Sequence, residues 1–349
     1  MTHNCRPRRK EMPGTISTAM CTHNGALFLQ EQLASIAAQT RPPDELVVCD
    51  DFSSDETRHI LEHFAAGAPF PVRLHFNKTN LGSNKNFEQA INLCEGDVIA
   101  LCDQDDIWHT EKLALMEAVL AAQPEVGLVF TNGEVVDENS QPANFTLWEG
   151  FGFDSRSQAR IRAGQAFAAL IGRASVTGAA MAFRSRFSRL VLPIPDDVGF
   201  VHDEWIALLI AANAKLAMVD KPMIKYRRHP RQQVGISQPA RGPAQSRVEQ
   251  VRKAIERKNH FSFEITRLLA IEARLVSRRD AFPCENAYRI VQDRMSHLEA
   301  RASIPGQGLK SVPCVLRELL TLRYHRYSRG LHSAVKDLWY IRSNSAQST

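Results

Sequence analysis

No two of the seven cysteines form a Cys-x-x-Cys pair, and none has the cysteine–histidine spacing of a zinc site. A structural zinc module is therefore excluded. The odd cysteine count argues against a complete disulfide framework and for a reducing compartment. No apolar run is long enough to cross a bilayer, the longest being Ile206 to Ala214. Arg6, Arg8, Arg9 and Lys10 lack the apolar segment that follows such residues in a signal peptide. These absences predict a cytoplasmic protein whose membrane contact, if any, is peripheral and at the inner face of the plasma membrane. Internal repeats and low-complexity tracts are missing too.

Positive charge is scarce in the front of the chain and concentrated at the rear. The first 240 residues hold 23 Lys/Arg against 28 Asp/Glu, whereas the stretch from Arg241 onward holds 20 against 10. An acidic front half excludes a nucleic-acid-binding reading, which needs basic and aromatic residues interleaved on one face. The basic rear half suits an anionic surface such as a phospholipid leaflet.

What is present is alternation. Thr15–Cys21, Glu45–Cys49, Val72–Phe76, Asp97–Cys102 and Val126–Phe130 read as strands. Between them Phe28–Ala38, Thr57–Ala66, Ser83–Cys94 and Glu111–Ala122 read as helices. Ser53 with Glu56 has capping-box spacing, and Thr110 is placed to cap the helix entered at Glu111. The pattern predicts an α/β fold, a mostly parallel sheet flanked by helices, with ligands beyond the carboxyl ends of the strands. From Asn132 to about Arg162 a polar, turn-rich connection is expected. A strand at Val176–Phe183, a helix from about Glu204 to Asn213 and short strands near Leu216 and Met223 should follow. The expected organisation is a flexible basic N-terminus (1–14), a catalytic domain (15–237), a linker (238–245) and a helical basic region (246–349). In the last of these, apolar residues from Val312 to Trp339 fall largely on one helical stripe.

The strongest local signal is Cys102-Asp103-Gln104-Asp105-Asp106-Ile107-Trp108, at the end of the fourth strand. Two carboxylates about 4 Å apart repel by roughly 4 kcal/mol at an effective dielectric of about 20. A hard divalent cation, Mg2+ or Mn2+, removes that penalty and can bridge a diphosphate leaving group. The competing reading is a solvated acidic turn, which the apolar strand before it and Ile107-Trp108 after it disfavour. Asp50-Asp51-Phe52-Ser53-Ser54-Asp55 ends the second strand. One aspartate there can accept from a pyrimidine ring N–H while the other orders the turn, although Asp and Ser are also ordinary helix-start residues. Thr22-His23-Asn24-Gly25 ends the first strand: the ring of His23 can stack on a base, and Gly25 permits close backbone approach. Asn80-Leu81-Gly82-Ser83-Asn84-Lys85-Asn86 opens a helix whose backbone N–H groups can meet a nucleotide.

Taken in order and spacing, these four segments resemble the bacterial glycosyltransferase family two, and within it the rhamnosyltransferase-like members. The resemblance covers about Thr15 to Gly235. It implies a GT-A fold, a nucleotide-sugar donor, a divalent metal and inversion at the anomeric carbon. It places Thr22, His23 and Asn24 around the base, with Asp50 accepting from the pyrimidine and Asp51 beside it. His23 stands where a tyrosine is usual. Gly82, Asn86 and Gln104 would approach the ribose or diphosphate. Asp103 and Asp105 match the Asp-x-Asp positions, Asp105 as the direct metal ligand, with Asp106 close by. Thr177-Gly178-Ala179-Ala180 looks like the acceptor-side loop. His202-Asp203-Glu204-Trp205 looks like the helix start that presents the base, Asp203 first and Glu204 as its alternative. The closing segment runs from Tyr226 to Gly235, with Pro230 and two glutamines where Gly and Asn are more usual. There His229 would ligate the metal or touch the diphosphate, and Arg228 or Arg231 would neutralise departing charge.

The function expected on this basis is transfer of a sugar, rhamnose on dTDP first and a hexose on UDP second. The acceptor would be a hydroxyl of a cell-surface polysaccharide or a lipid-linked oligosaccharide. The basic C-terminal region would touch an anionic membrane or pack as a solvated subdomain. A catalytically silent scaffold of the same fold would lack the acidic cluster or the base, and neither is missing. A sugar nucleotidyltransferase would call for a Gly-rich loop with a cation after the first strand, and Thr22-His23-Asn24-Gly25-Ala26 has no cation.

Overall fold

A computed structural model describes residues 14–172, 176–232, 257–304, 308–328 and 330–345. Residues 1–13 of the basic N-terminus and the whole linker expected at 238–245 lie outside the described residues. The chain divides into two compact units, Met1–Asp196 with Val201–Ala240, and Asp197–Phe200 with Arg241–Thr349.

The first unit begins as the alternation predicts: β1 (Ile16–Thr22), α1 (Ala26–Ala37), β2 (Glu45–Asp50), α2 (Thr57–Gly67), β3 (Val72–Phe76), α3 (Ser83–Leu93), β4 (Val98–Cys102), β5 (Ile107–Trp108), α4 (Lys112–Ala122) and β6 (Val126–Val136). β1 and β4 are buried at every residue, the signature of parallel strands covered on both faces. Strands β3, β2, β1 and β4 lie side by side in parallel. The register sets Thr22 opposite Asp50 and Met20 opposite Cys102, so three motif-bearing loops leave the same sheet edge. Cys21, Cys49 and Cys102 are buried thiols beneath that edge.

Beyond β4 the sheet is mixed, and two expectations need correction. The polar stretch after Asn132 is ordered. β6 continues to Val136 and pairs with β7 (Pro142–Thr146), followed by α5 (Leu147–Gly150), α6 (Ser155–Arg162) and α7 (Ala166–Leu170). Its polar residues fasten the fold: Asn132 Oδ1 accepts from the backbone of Gly133 and Trp148, and Thr146 with Glu149 forms a capping box. Trp148 and Phe153 then close an aromatic cluster on Phe130. Val176–Phe183 is not a single strand, because a 3₁₀ turn occupies Gly178–Ala180 and only β8 (Met181–Arg184) pairs, antiparallel to β4 and β6.

After α8 (Ser188–Val191) and α9 (His202–Ala211), the strands expected near Leu216 and Met223 are one long strand, β9 (Lys215–Arg227). A register shift against β6 absorbs the interruption between them. Neither expected cap forms. The Ser53 hydroxyl turns back to Asp50, leaving α2 to start after Glu56 without a side-chain cap, and α4 starts after Glu111 without one.

The second unit is helical: α10 (Arg257–Arg278), α11 (Glu285–Ser303), α12 (Val312–Leu320), α13 (Arg323–Tyr327) and α14 (Leu331–Ser345). The single stripe expected from Val312 to Trp339 is broken into three helices, because Leu322 adopts a left-handed conformation (φ 58°) and the chain turns again at Gly330. A small core of Ile304, Val315, Tyr324 and Ala334 holds them together.

Candidate active site

Three loops at the carboxyl edge are tied to one another by their own side chains. Asp50 is almost fully buried. It accepts from the Thr22 hydroxyl at 2.8 Å, the Ser53 hydroxyl at 2.5 Å and the Ser53 N–H at 3.0 Å. Asp51 shapes the neighbouring loop: it accepts from Asn77 Nδ2 at 2.9 Å and from the backbone N–H groups of Leu81 at 2.7 Å and Gly82 at 2.9 Å. Gly82 (φ 82°) lets the chain turn so that its amide points at that carboxylate. Gln104 clamps the first loop from the acidic segment, accepting from His23 N–H at 2.8 Å and donating to His23 C=O at 3.0 Å. His23 Nδ1 donates to the Asp51 carbonyl at 2.7 Å, and the exposed ring has the Asn80 amide 3.4 Å from Nδ1 and the Asn24 amide 3.2 Å from Nε2. Asn24 accepts from Ser54 N–H at 2.9 Å and is held from its own N–H by Ser53.

Asn86 takes a different place from the one expected. It is buried and donates to the Cys49 carbonyl at 2.8 Å while accepting from Asn77 at 3.0 Å. It acts as a strut beneath the loops, because the α3 turn after Gly82 aims its side chain at β2.

The acidic segment is held from behind. Burial raises the Asp103 carboxyl to about 8, with further contributions from the charges of Asp105 and Asp203. Asp106 is driven well upward by burial and by its two acidic neighbours; its Oδ1 accepts from Arg227 N–H at 3.0 Å, and its buried Oδ2 has no partner. Arg227, 1% exposed, also donates to the Asp105 carbonyl at 2.9 Å and pairs with Glu31. Arg228, the expected neutralising cation and the first residue beyond β9, has its guanidinium 6.0 Å from the Phe145 ring centroid. His229 does meet the cluster: its Nε2 is 2.8 Å from Asp105 Oδ2. Asp103, Asp105 and His229 do not form a ready three-ligand set, and among the described residues no three His, Cys, Asp or Glu side chains gather around one point.

Lys112 was not anticipated. It reads as an ordinary helix-start charge, yet it is fully buried, donates to the Ala179 carbonyl at 2.5 Å and lies 3.4 Å from the Trp108 ring centroid. Burial lowers its ammonium to about 7. It links the acidic segment to the turn at Gly178–Ala180. That turn in turn holds Asp203, whose Oδ2 accepts from Gly178 N–H at 3.1 Å and whose Oδ1 accepts from Glu204 N–H at 2.6 Å. Gly178 has no room for a side chain, because a Cβ would sit 2.8 Å from His202 Nε2. Burial raises the Asp203 carboxyl to about 6 against the lowering pull of those N–H groups. Glu204 is half-buried beside it.

Residues 17–185 match the family model described as Glycosyl transferase family 2. These residues, just under half of the chain, are thus marked as a family 2 glycosyl transferase domain. An uncharacterized protein of Mycobacterium tuberculosis is 28% identical to it over 223 residues, covering 61% of this chain and 59% of that one. The chain thus spans less than two thirds of that relative's length. A Shigella flexneri protein named dTDP-rhamnosyl transferase RfbG is 36% identical over 99 residues, 27% of this chain and 34% of its own. Among solved structures, residues 1–349 of TarS from S. aureus, in complex with UDP-GlcNAc, superpose with a TM-score of 0.52. That match has 16% identity and covers 96% of this chain and 92% of that one, a likeness of fold. The family 2 domain has the GT-A fold, a mixed sheet flanked by helices, with further helices at the C-terminal side.

Proposed function

We propose that this family 2 protein is an inverting glycosyltransferase that moves a sugar from a nucleotide diphosphate to an acceptor hydroxyl. The observation that carries the reading is electrostatic. After burial, the charges of Asp105 and Asp203 raise the Asp103 carboxyl. Lys112, stacked on Trp108, donates to the same turn whose Gly178 N–H donates to Asp203. Both support a reading in which the acidic segment and the candidate base face one cleft. Asp50, Asp51, Thr22 and His23 border the same edge through the bonds that tie their loops together.

Asp203 is the group suited to take the acceptor's proton. Inverting transfer needs one base beside the attacking hydroxyl, and a carboxyl near 6 is mostly ionised at neutral pH. Its two backbone N–H donors hold it in one orientation. Glu204 stands next to it as the alternative. The exposed ring of His23 is available to a base, and the Asp50–Asp51 turn supports that wall.

The acidic segment fits a divalent cation, Mg2+ or Mn2+. Its carboxylates are hard oxygen donors; burial, and after it the charge of their neighbours, raises Asp103 and Asp106, and Asp106 Oδ2 is buried without a partner. Asp103 and Asp105 would hold the ion, with His229 steadying Asp105. Such an ion supplies charge neutralisation to a departing diphosphate.

The name of the Shigella relative favours dTDP-rhamnose as donor; an Escherichia coli relative, 29% identical over 130 residues, is named a UDP-Glc-dependent glucosyltransferase and keeps UDP-glucose second. A saccharide, free or lipid-linked, is the proposed acceptor. Thermal stabilisation against UDP, dTDP and GDP, with and without Mn2+, tests the donor half of the reading. Metal-dependent stabilisation by a pyrimidine diphosphate is expected; no response to any nucleotide diphosphate would overturn it.

A further inference from the structure

From Ile304 to Thr349 the sequence contains seven Lys/Arg and two acidic residues, Glu318 and Asp337. Both carboxylates are buried, at 1% and 6% exposure. Glu318 faces His297 Nδ1 at 2.8 Å and Arg323 at 3.3 Å. Asp337 accepts from Arg301 Nε at 2.8 Å and the Tyr324 hydroxyl at 2.7 Å. Folding therefore withdraws every acidic side chain of this stretch from its surface.

The same stretch exposes large apolar side chains. Leu320 on α12 is 85% exposed and Leu316 50%. On α14, Leu331, Val335 and Trp339 are 62%, 62% and 60% exposed, and their spacing of four places them along one face. Ala334, by contrast, belongs to the small core, and Leu338 packs against it. The two helices thus present exposed apolar and basic side chains with their own carboxylates buried, Glu299 of α11 being the exposed carboxylate beside Arg317. Such apolar exposure is costly in water. The surface would repel a second copy of itself, and a nucleic acid would satisfy its charges but not its leucines. An anionic leaflet satisfies both, acyl chains taking Leu and Val, headgroup phosphates taking Arg and Lys, and Trp favouring the boundary. No described helix is long and apolar enough to cross a membrane, so the contact would be interfacial.

We propose that α12 and α14 form a docking face for an anionic lipid bilayer. This inference comes from the helical unit alone and does not depend on the sugar-transfer reading. The protein carries its own reporter. Of its four tryptophans, Trp108, Trp148 and Trp205 are at most 5% exposed, so a change in emission on adding vesicles reports Trp339.

The experiment uses the full chain with phosphatidylglycerol–phosphatidylcholine vesicles and with phosphatidylcholine vesicles alone. A blue shift and co-flotation are expected with the anionic vesicles only. Raising salt from roughly 0.1 M to 1 M, which shortens the screening length from about 10 Å to 3 Å, should release the protein. Leu320→Ser with Val335→Ser should weaken partitioning roughly ten-fold or more with an unchanged Tm, since both positions are exposed. Arg317→Glu, at a 70% exposed side chain, should weaken it independently. Equal binding to neutral vesicles, or no binding to either, would overturn the proposal. So would a dimer in light scattering that the Leu320→Ser/Val335→Ser protein no longer forms, which would make the face a contact between copies.

Discussion

His229 Nε2 lies 2.8 Å from Asp105 Oδ2, although 124 residues separate them. The contact joins the segment after β9 to the acidic segment after β4 and orients the carboxylate proposed to meet a cation. Asp105→Ala should abolish the metal-dependent part of the thermal stabilisation by dTDP or UDP. His229→Ala, which removes the support and not the ligand, should weaken it by roughly ten-fold, the usual loss on deleting a group that orients a metal ligand. Calorimetric titration of nucleotide with and without Mn2+ separates the two. Equal losses would make His229 a ligand in its own right, and an unaffected Asp105→Ala protein would remove Asp105 from the metal site.

Asp203 titrates near 6, and a base works only when unprotonated. Transfer should rise with pH, be half-maximal near 6 and level off at about pH 7. Asp203→Asn should keep nucleotide binding and cost about 10²–10⁴ in turnover. A variant that still turns over, with its pH profile unmoved, would exclude Asp203 as base.

The raised Asp103 carboxyl predicts a cost in stability. With a folded pKa of about 8 against an ordinary 3.8, the folded state keeps a proton that the unfolded chain has lost. Stability of the ligand-free protein therefore falls as pH rises from about 4 to about 8. Asp103→Asn removes that penalty, so its Tm should exceed the wild-type value at pH 8, and the gap should close towards about pH 4. A lower Tm for the variant at pH 8 would show that the ionised carboxylate is already compensated.

Asp51 has three donors from the Asn77–Gly82 loop, all listening to one carboxylate. Asp51→Ala strands the Leu81 N–H, at about 1–3 kcal/mol where it stays buried, while Asn77 keeps its bond to Asn86 and the Gly82 N–H its bond to Asn80. A fall in Tm of several degrees is expected, with weaker nucleotide binding. Retained binding with only the Tm loss would confine Asp51 to a structural role.

Gly178→Ala tests the turn that holds Asp203, the proposed base. The new Cβ would sit 2.8 Å from Nε2 of the buried His202, so that ring or the turn must move, and the Gly178 N–H bond to Asp203 is expected to loosen with it. Turnover should fall more than nucleotide affinity, because the donor loops leave other strands. Equal losses in both would mean that the turn supports the whole cleft.

Strand–helix alternation, the four strand-end motifs and the buried cysteines were legible in the sequence, because parallel strands covered on both faces must be short apolar runs and their loops must leave one edge. Which polar side chains face the cleft was not. Arg227 and Arg228 are neighbours of the same chemistry; only the folded chain decides that Arg227 grips Asp105 and Asp106 while the Arg228 guanidinium lies near Phe145. Asn86 reads as a ligand contact until the register of α3 aims it at Cys49, and Lys112 reads as a surface charge until Trp108 and Ala179 close over it. The ordered hairpin after Asn132 was hidden for the same reason: its polar residues serve distant partners, Asn132 bonding Trp148 sixteen positions on and Ser140 bonding Arg227 87 positions on, and local pattern carries no record of such bonds. Sequence by itself determined the order of elements and the chemistry available at their ends. Tertiary structure alone decided which of those groups meet, since burial and side-chain direction are properties of contacts between distant segments.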